Sequence, residues 1–230
     1  MTVPDPEETG LEFEQREELT GAVLSMRTLC LLNSGHGAQC EVVQHDDGRV
    51  EFTADADIDA DGAARAYNPQ NTGLDDLSNA RNGSEWCGLA LDAHGRPFIQ
   101  GPNDPAPGFY VSTSALKIPG FANGDPRHEV DAEHVPFIVV SPLIRSRAAG
   151  VVLGCRARVT NLRNGKSVDA VVADIGPRTK IGELSIAAAK AIGVASSPRT
   201  GGENDCVIKY ELWPGESVTI AGTTYPLQPA

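Results

Sequence analysis

Asp174 and Glu183 stand in the segment V-V-A-D-I-G-P-R-T-K-I-G-E-L-S, with eight residues between them. Two carboxyl groups across a cleft can break a glycosidic bond: the protonated one assists departure of the leaving oxygen, and the ionised one activates water or attacks carbon. The intervening Gly-Pro turn and Gly182 would let a strand end and the start of the next element face one cleft. Each acid also has a purely structural explanation. A carboxylate in a first helical turn is favoured by the helix dipole, and an Asp before Gly-Pro commonly makes a turn. Spacing alone makes the pair a plausible dyad, compatible with either stereochemical outcome.

A second acidic feature is F-T-A-D-A-D-I-D-A-D-G, in which Asp55, Asp57, Asp59 and Asp61 alternate with small or apolar residues. In an extended chain all four point to one face. Such a row repels itself unless a cation lies along it, so a metal or an amino-group substrate is expected there. As a calcium loop it opens correctly with Asp57, Asp59, Asp61 and Gly62. Its twelfth position, however, is Asn68 where a bidentate Glu is needed, which argues against a helical calcium hand.

Other chemistries find no support. No nucleophile elbow, phosphate-binding loop, dinucleotide fingerprint or H-E-x-x-H is present. His36, His45, His94, His128 and His134 are scattered in polar turn contexts and read as surface residues, although His128 and His134 could approach one another. Trp86 and Tyr110 read as core aromatics or as sugar-stacking platforms. The five cysteines, Cys30, Cys40, Cys87, Cys155 and Cys206, include no C-x-x-C pair, so neither a zinc site nor a redox motif is encoded locally. Their odd number leaves at least one thiol unpaired.

The elements that must position these groups are short. From Arg49 onward, strands are expected at Val50 to Thr53, Trp86 to Leu91, Pro97 to Ile99, Phe109 to Ser112 and residues 135–140, separated by Gly, Pro and Asp turns. Asn164-Gly165 between R-A-R-V-T-N-L and S-V-D-A-V-V-A is a strong hairpin signal that delivers Asp174 at a strand end. Leu184, Ala187, Ala188, Ala191 and Ile192 recur at helical spacing before Gly193, predicting a helix over 182–192 with Glu183 in its first turn. Strands around 206–211 and 217–220 follow. The expected fold is mainly β: a double-psi β-barrel-like core with one packed short helix and turn-rich insertions.

At 230 residues the chain is long enough for one full-sized core. We expect residues 1–44 to form an N-terminal arm and first core element, and 45–230 a single catalytic domain. A net charge of −12 disfavours a phosphate backbone as partner and favours a cationic or neutral one, so nucleic acid is not expected. No stretch reaches the roughly 20 apolar residues of a membrane span. The acidic N-terminus lacks a basic region followed by an apolar run, so no secretory signal is expected in this chain.

Three segments, D-A-D-I-D-A-D-G at 55–62, Q-G-P-N-D-P-A-P-G-F-Y-V-S-T at 100–113 and A-D-I-G-P-R-T-K-I-G-E-L-S-I-A-A-A-K-A-I-G at 173–193, resemble the chitosanases of glycoside hydrolase family 75. The resemblance covers roughly residues 45 to 220. It implies that Asp174 and Glu183 are the catalytic pair, and that the reaction is endo-hydrolysis of β-1,4-linked glucosamine polymers with inversion. Asp57, Asp59, Asp61, Asp104 and Tyr110 are then candidate substrate-binding residues. Ala60 stands where fungal members place a cysteine, so a family disulfide is not expected there. The implied protein is a monomer acting on chitosan without metal or cofactor. Secretion is implied as well, so either a leader has been removed or the protein is cytoplasmic.

The segment C-R-A-R-V-T-N-L-R-N-G-K-S-V-D-A-V-V-A-D-I-G-P is also similar to the double-psi barrel of rare lipoprotein A, whose members cleave peptidoglycan glycan strands. The Asp before its Gly-Pro turn would be a general acid, but the His and P-F-G-T approach of those proteins are missing here. A lytic enzyme on the same barrel, and a non-catalytic carbohydrate-binding protein, are the competing readings. Within the hydrolase reading, Glu183 at a helix start suits the base and Asp174 beside a core suits the acid.

Overall fold

The computed structural model describes residues 25–228, so residues 1–24 of the expected N-terminal arm and first core element lie outside the described part. The strands are β1 (Met26–Asn33), β2 (Gln39–His45), β3 (Val50–Asp59), β4 (Arg81–Asn82), β5 (Glu85–Trp86), β6 (Phe137–Val140), β7 (Cys155–Asn161), β8 (Ser167–Ile175), β9 (Glu183–Ser185), β10 (Glu203–Ile220) and β11 (Thr223–Tyr225). Among the described residues, two short helices, α1 (Pro142–Arg147) and α2 (Ile186–Ile192), and one 3₁₀ turn at Pro126–His128 complete the regular structure.

Nine strands form one sheet in the order β1-β2-β3-β9-β6-β8-β7-β10-β11, and β3 also pairs with β10. That extra pairing closes β3, β9, β6, β8, β7 and β10 into a six-stranded barrel. The six barrel strands are paired on both sides, and β1 and β11 remain as the outer strands of the sheet. The mainly β fold with a closed barrel and few helices expected from the sequence is therefore present. The boundary placed between residues 44 and 45 falls inside β2, whose Val42, Val43 and Gln44 pair with Phe52, Glu51 and Val50 of β3. The β1–β2 hairpin thus extends the barrel sheet.

Alternation explains how β3 serves two purposes. Phe52, Ala54, Ala56 and Ile58 point into apolar packing, where the Phe52 ring stacks on Tyr210 with centroids 4.8 Å apart. Asp55, Asp57 and Asp59 take the opposite face, as the period of two requires. Asp61 lies past the end of the strand, in the turn.

The Asn164-Gly165 hairpin forms as expected, with Gly165 at φ 72° and its N–H donating to Asn161 O at 2.9 Å. Its asparagines do more than turn the chain: the Asn161 and Asn164 side-chain amides donate to Ile192 O at 3.2 and 3.1 Å, capping the C-terminus of α2. Gly193 ends that helix in the left-handed conformation at φ 74°.

Two expectations need correction. The helix begins at Ile186 with Ser185 as N-cap, its hydroxyl accepting from Ala188 N at 3.1 Å, so Glu183 lies in β9 and not in a first helical turn. Finally, the strands expected over 86–112 shrink to β5 and to isolated bridges pairing Leu89 with Ser112, Leu91 with Pro97 and Ile99 with Tyr110. These belong to a turn-rich insertion between β3 and β6.

Candidate functional site

The barrel brings Asp174 and Glu183 together through β6. β6 pairs parallel to β8 on one side, and Ile138 pairs with Leu184 of β9 on the other. The β6–β8 register shifts after Ile138–Val172, so that Val139 faces Asp174 and skips Ala173. This bulge turns Asp174 onto the face of Val139. Glu183, one residue before Leu184, points to that same face. A Cβ on Gly176 would lie 3.0 Å from Val139 Cγ1 and 3.4 Å from Glu183 Oε2, which locates the carboxyl over this part of the sheet. The acids thus stand on strands one apart, two strand spacings or roughly 9–10 Å at the backbone.

The row continues beyond the pair. Asp57 is the register partner of Glu183, and Asp59 that of Ser185. Asp61 accepts hydrogen bonds from Tyr67 OH at 2.9 Å and from Ser112 Oγ at 3.3 Å. Tyr67 OH also lies 3.2 Å from Asp75 Oδ2, and the Asn79 side-chain amide donates to both Asp75 oxygens. Arg199 fixes that loop by donating to Asn71 O at 2.9 Å and Asp75 O at 2.7 Å.

Crowding of carboxylates away from water sets the protonation states. Burial, reinforced by the charge of Glu183 and opposed by the Ile175 N–H, raises Asp174 to about 7. Burial also raises Glu183, with the Lys180 ammonium opposing it and Asp57 adding to it. Asp59 and Asp61 are pushed well above the usual carboxylate range, first by burial and then by neighbouring acids. Two lysines temper this charge. Lys180 Nζ lies 2.5 Å from Asp57 Oδ2. Lys117, whose charge lowers Asp174, is held 2.6 Å from the fully buried Glu129.

The expected substrate contacts divide. Asp57 borders the pair and is partly exposed. Asp59, at 9% exposure, belongs to the buried acid cluster more than to an open surface. Tyr110 is tied to the cluster through the backbone, its N–H donating to Tyr67 O at 3.0 Å, and its ring lies 5.9 Å from Trp86. One face of Trp86 is covered by the Arg81 guanidinium, 3.4 Å from the ring centroid. Asp104 closes a local turn by accepting from Gly101 N at 2.8 Å, and no bond joins it to the carboxylate row. His128 and His134 face Glu129 and Asp131 separately.

Lys180, Lys117, Glu129, Tyr67 and Asp75 escaped the sequence reading. Only Lys180 carried a usable signal, lying three residues before Glu183 in a segment already singled out. Comparison of the chain with protein-family models and with curated proteins finds no match. Among the described residues no helix is long and apolar enough to cross a membrane.

Proposed function

We propose that the protein is an endo-acting chitosanase of the family 75 type, hydrolysing β-1,4-glucosamine linkages by inverting acid–base catalysis. The observation that carries this reading is the placement of Asp174 and Glu183 on one face of two strands flanking β6. An inverting pair needs room for a water between its carboxyl groups, and the intervening strand β6 keeps the backbones that carry the two acids two strand spacings apart.

Asp174, held near pH 7, is the acid: it donates its proton to the glycosidic oxygen as the bond to the anomeric carbon breaks. Glu183 is the base, taking a proton from the water that attacks the opposite face of the sugar. The helix dipole no longer supports this role, because α2 starts after Glu183. The charge of Lys180 favours the ionised carboxylate instead. The surrounding acids, among them the partly exposed Asp57, suit a substrate carrying one ammonium group per sugar.

Reducing-end release from chitosan tests the reading, with Asp174→Asn and Glu183→Gln as controls. Loss of activity in both supports it. Turnover of peptidoglycan strands but not chitosan would instead favour the lytic reading that the same barrel allows, and binding without turnover of either would favour a carbohydrate-binding role.

A further inference from the structure

Among the described residues, His36, Asp55 and Asp57 each bring one ligand atom to within 4.8 Å of the others. We propose that these three side chains form a binding site for a divalent transition cation of the Zn²⁺ type, distinct from the candidate catalytic pair. The inference does not depend on the hydrolase reading.

Three observations converge on it. The first is the donor set. One imidazole nitrogen with two carboxylate oxygens matches three-ligand sites for borderline cations, in which a fourth position is left to water. His36 Nδ1 lies 3.0 Å from Asp55 Oδ2, close to the roughly 3.3 Å edge of a tetrahedron with bonds near 2.0 Å.

The second is an unmet need. Asp55 is fully buried, and its Oδ1 has no hydrogen-bond partner. Both the His36 N–H and its ring bond the other oxygen, Oδ2, at 3.1 and 3.0 Å. A buried carboxylate that leaves one oxygen unpaired is costly, and a cation on its Oδ2 edge would offset that charge while Oδ1 faces Gly182.

The third is the backbone that allows the approach. A Cβ on Gly35 would lie 2.1 Å from Asp57 Oδ2 and 3.0 Å from Asp55 Oδ2, so only glycine lets the β1–β2 loop close over both carboxylates. The loop is fastened there by Asn33, whose N–H donates to Thr179 O at 2.9 Å and whose carbonyl accepts from Ile181 N at 2.9 Å. A cation at this point would tie the loop carrying His36 to β3 at the barrel.

Lys180 is the competitor, since its ammonium already neutralises part of Asp57. Removing that ammonium should therefore tighten cation binding, the opposite of what loss of a ligand would do.

The test is calorimetric titration of the chelator-treated full chain with Zn²⁺, read beside the thermal unfolding midpoint. One equivalent is expected to bind and to raise the midpoint, because a ligand that binds only the folded state stabilises it. His36 is exposed, so His36→Ala should fold normally and bind at least about tenfold more weakly. Lys180→Met should bind more tightly. The thiols of Cys40 and Cys206 lie 3.8 Å apart and form a rival zinc-binding pair, so Cys206→Ser is the necessary control and should bind as the wild type does. No binding by the wild type, unchanged binding in His36→Ala, or loss of binding in Cys206→Ser would each overturn the assignment.

Discussion

Asp57 on β3 stands beside Glu183 on β9 in a parallel pair, and the ammonium of Lys180 lies 2.5 Å from the Asp57 carboxylate. Two neighbouring acids on one sheet face repel unless a cation intervenes or one is protonated. Here the cation comes from the segment that also leads into β9. On the far side of β6, Asp174 has the more distant Lys117, itself engaged by Glu129, and lies on a strand whose bulge turns it toward the same face. The two candidate catalytic acids therefore sit in unlike electrostatic surroundings, which is what a division into acid and base requires.

The pH dependence of chitosan hydrolysis should reflect this. Burial raises Asp174 to about 7, so the protonated acid is depleted as pH rises through that value, and kcat/KM should fall on the alkaline side from about pH 7 upward. Because Asp174 and Glu183 interact, the limbs of the profile belong to the pair. An alkaline limb centred near pH 4 or pH 10 would be inconsistent with Asp174 as the acid.

Stability should move the same way. The folded-state value of Asp174, about 7, lies above the roughly 3.9 of an unfolded Asp, so the folded chain binds more protons between those values. The favourable contribution is complete below about pH 4 and is lost as pH rises through 7. Asp59 and Asp61, raised in the same direction, add to the trend. Denaturant unfolding should show Asp174→Asn more stable than wild type at pH 8, on the order of 1–3 kcal/mol, with the difference vanishing near pH 4.

Gly182 should tolerate no side chain. It has φ 99°, and a Cβ there would meet Asp55 Oδ1 at 2.1 Å. Gly182→Ala is expected to cost about 1–3 kcal/mol by thermal or denaturant unfolding. It should also lower chitosan hydrolysis through displacement of the adjacent Glu183. Wild-type stability and activity in this variant would show that the close approach of β3 to β9 is not required.

What the sequence disclosed follows the range of the forces involved. Asn164-Gly165 announced its hairpin because turn geometry is decided by adjacent residues. The alternating Asp55, Asp57 and Asp59 announced a shared face for the same reason. Leu184 misled, because its spacing to Ala187 and Ala188 fits a helix while its backbone belongs to β9, and Ser185 is the true cap. The strands expected near Trp86 and Phe109 failed because their partners are single bridges within a turn-rich insertion. Partners distant in the chain, such as Ser112 for Asp61, Glu129 for Lys117 and His36 for Asp55, are created by barrel closure and loop packing. Nothing local marks them.

The most direct measurement of the central claim is reducing-end release from chitosan by the wild type, Asp174→Asn and Glu183→Gln, each first shown to be folded by circular dichroism. General acid or base catalysis contributes about 10²–10⁴-fold, so the wild type should hydrolyse chitosan and both variants should fall by at least about a hundredfold. Wild-type rates in both variants, or a folded wild type inert toward chitosan, would contradict the account.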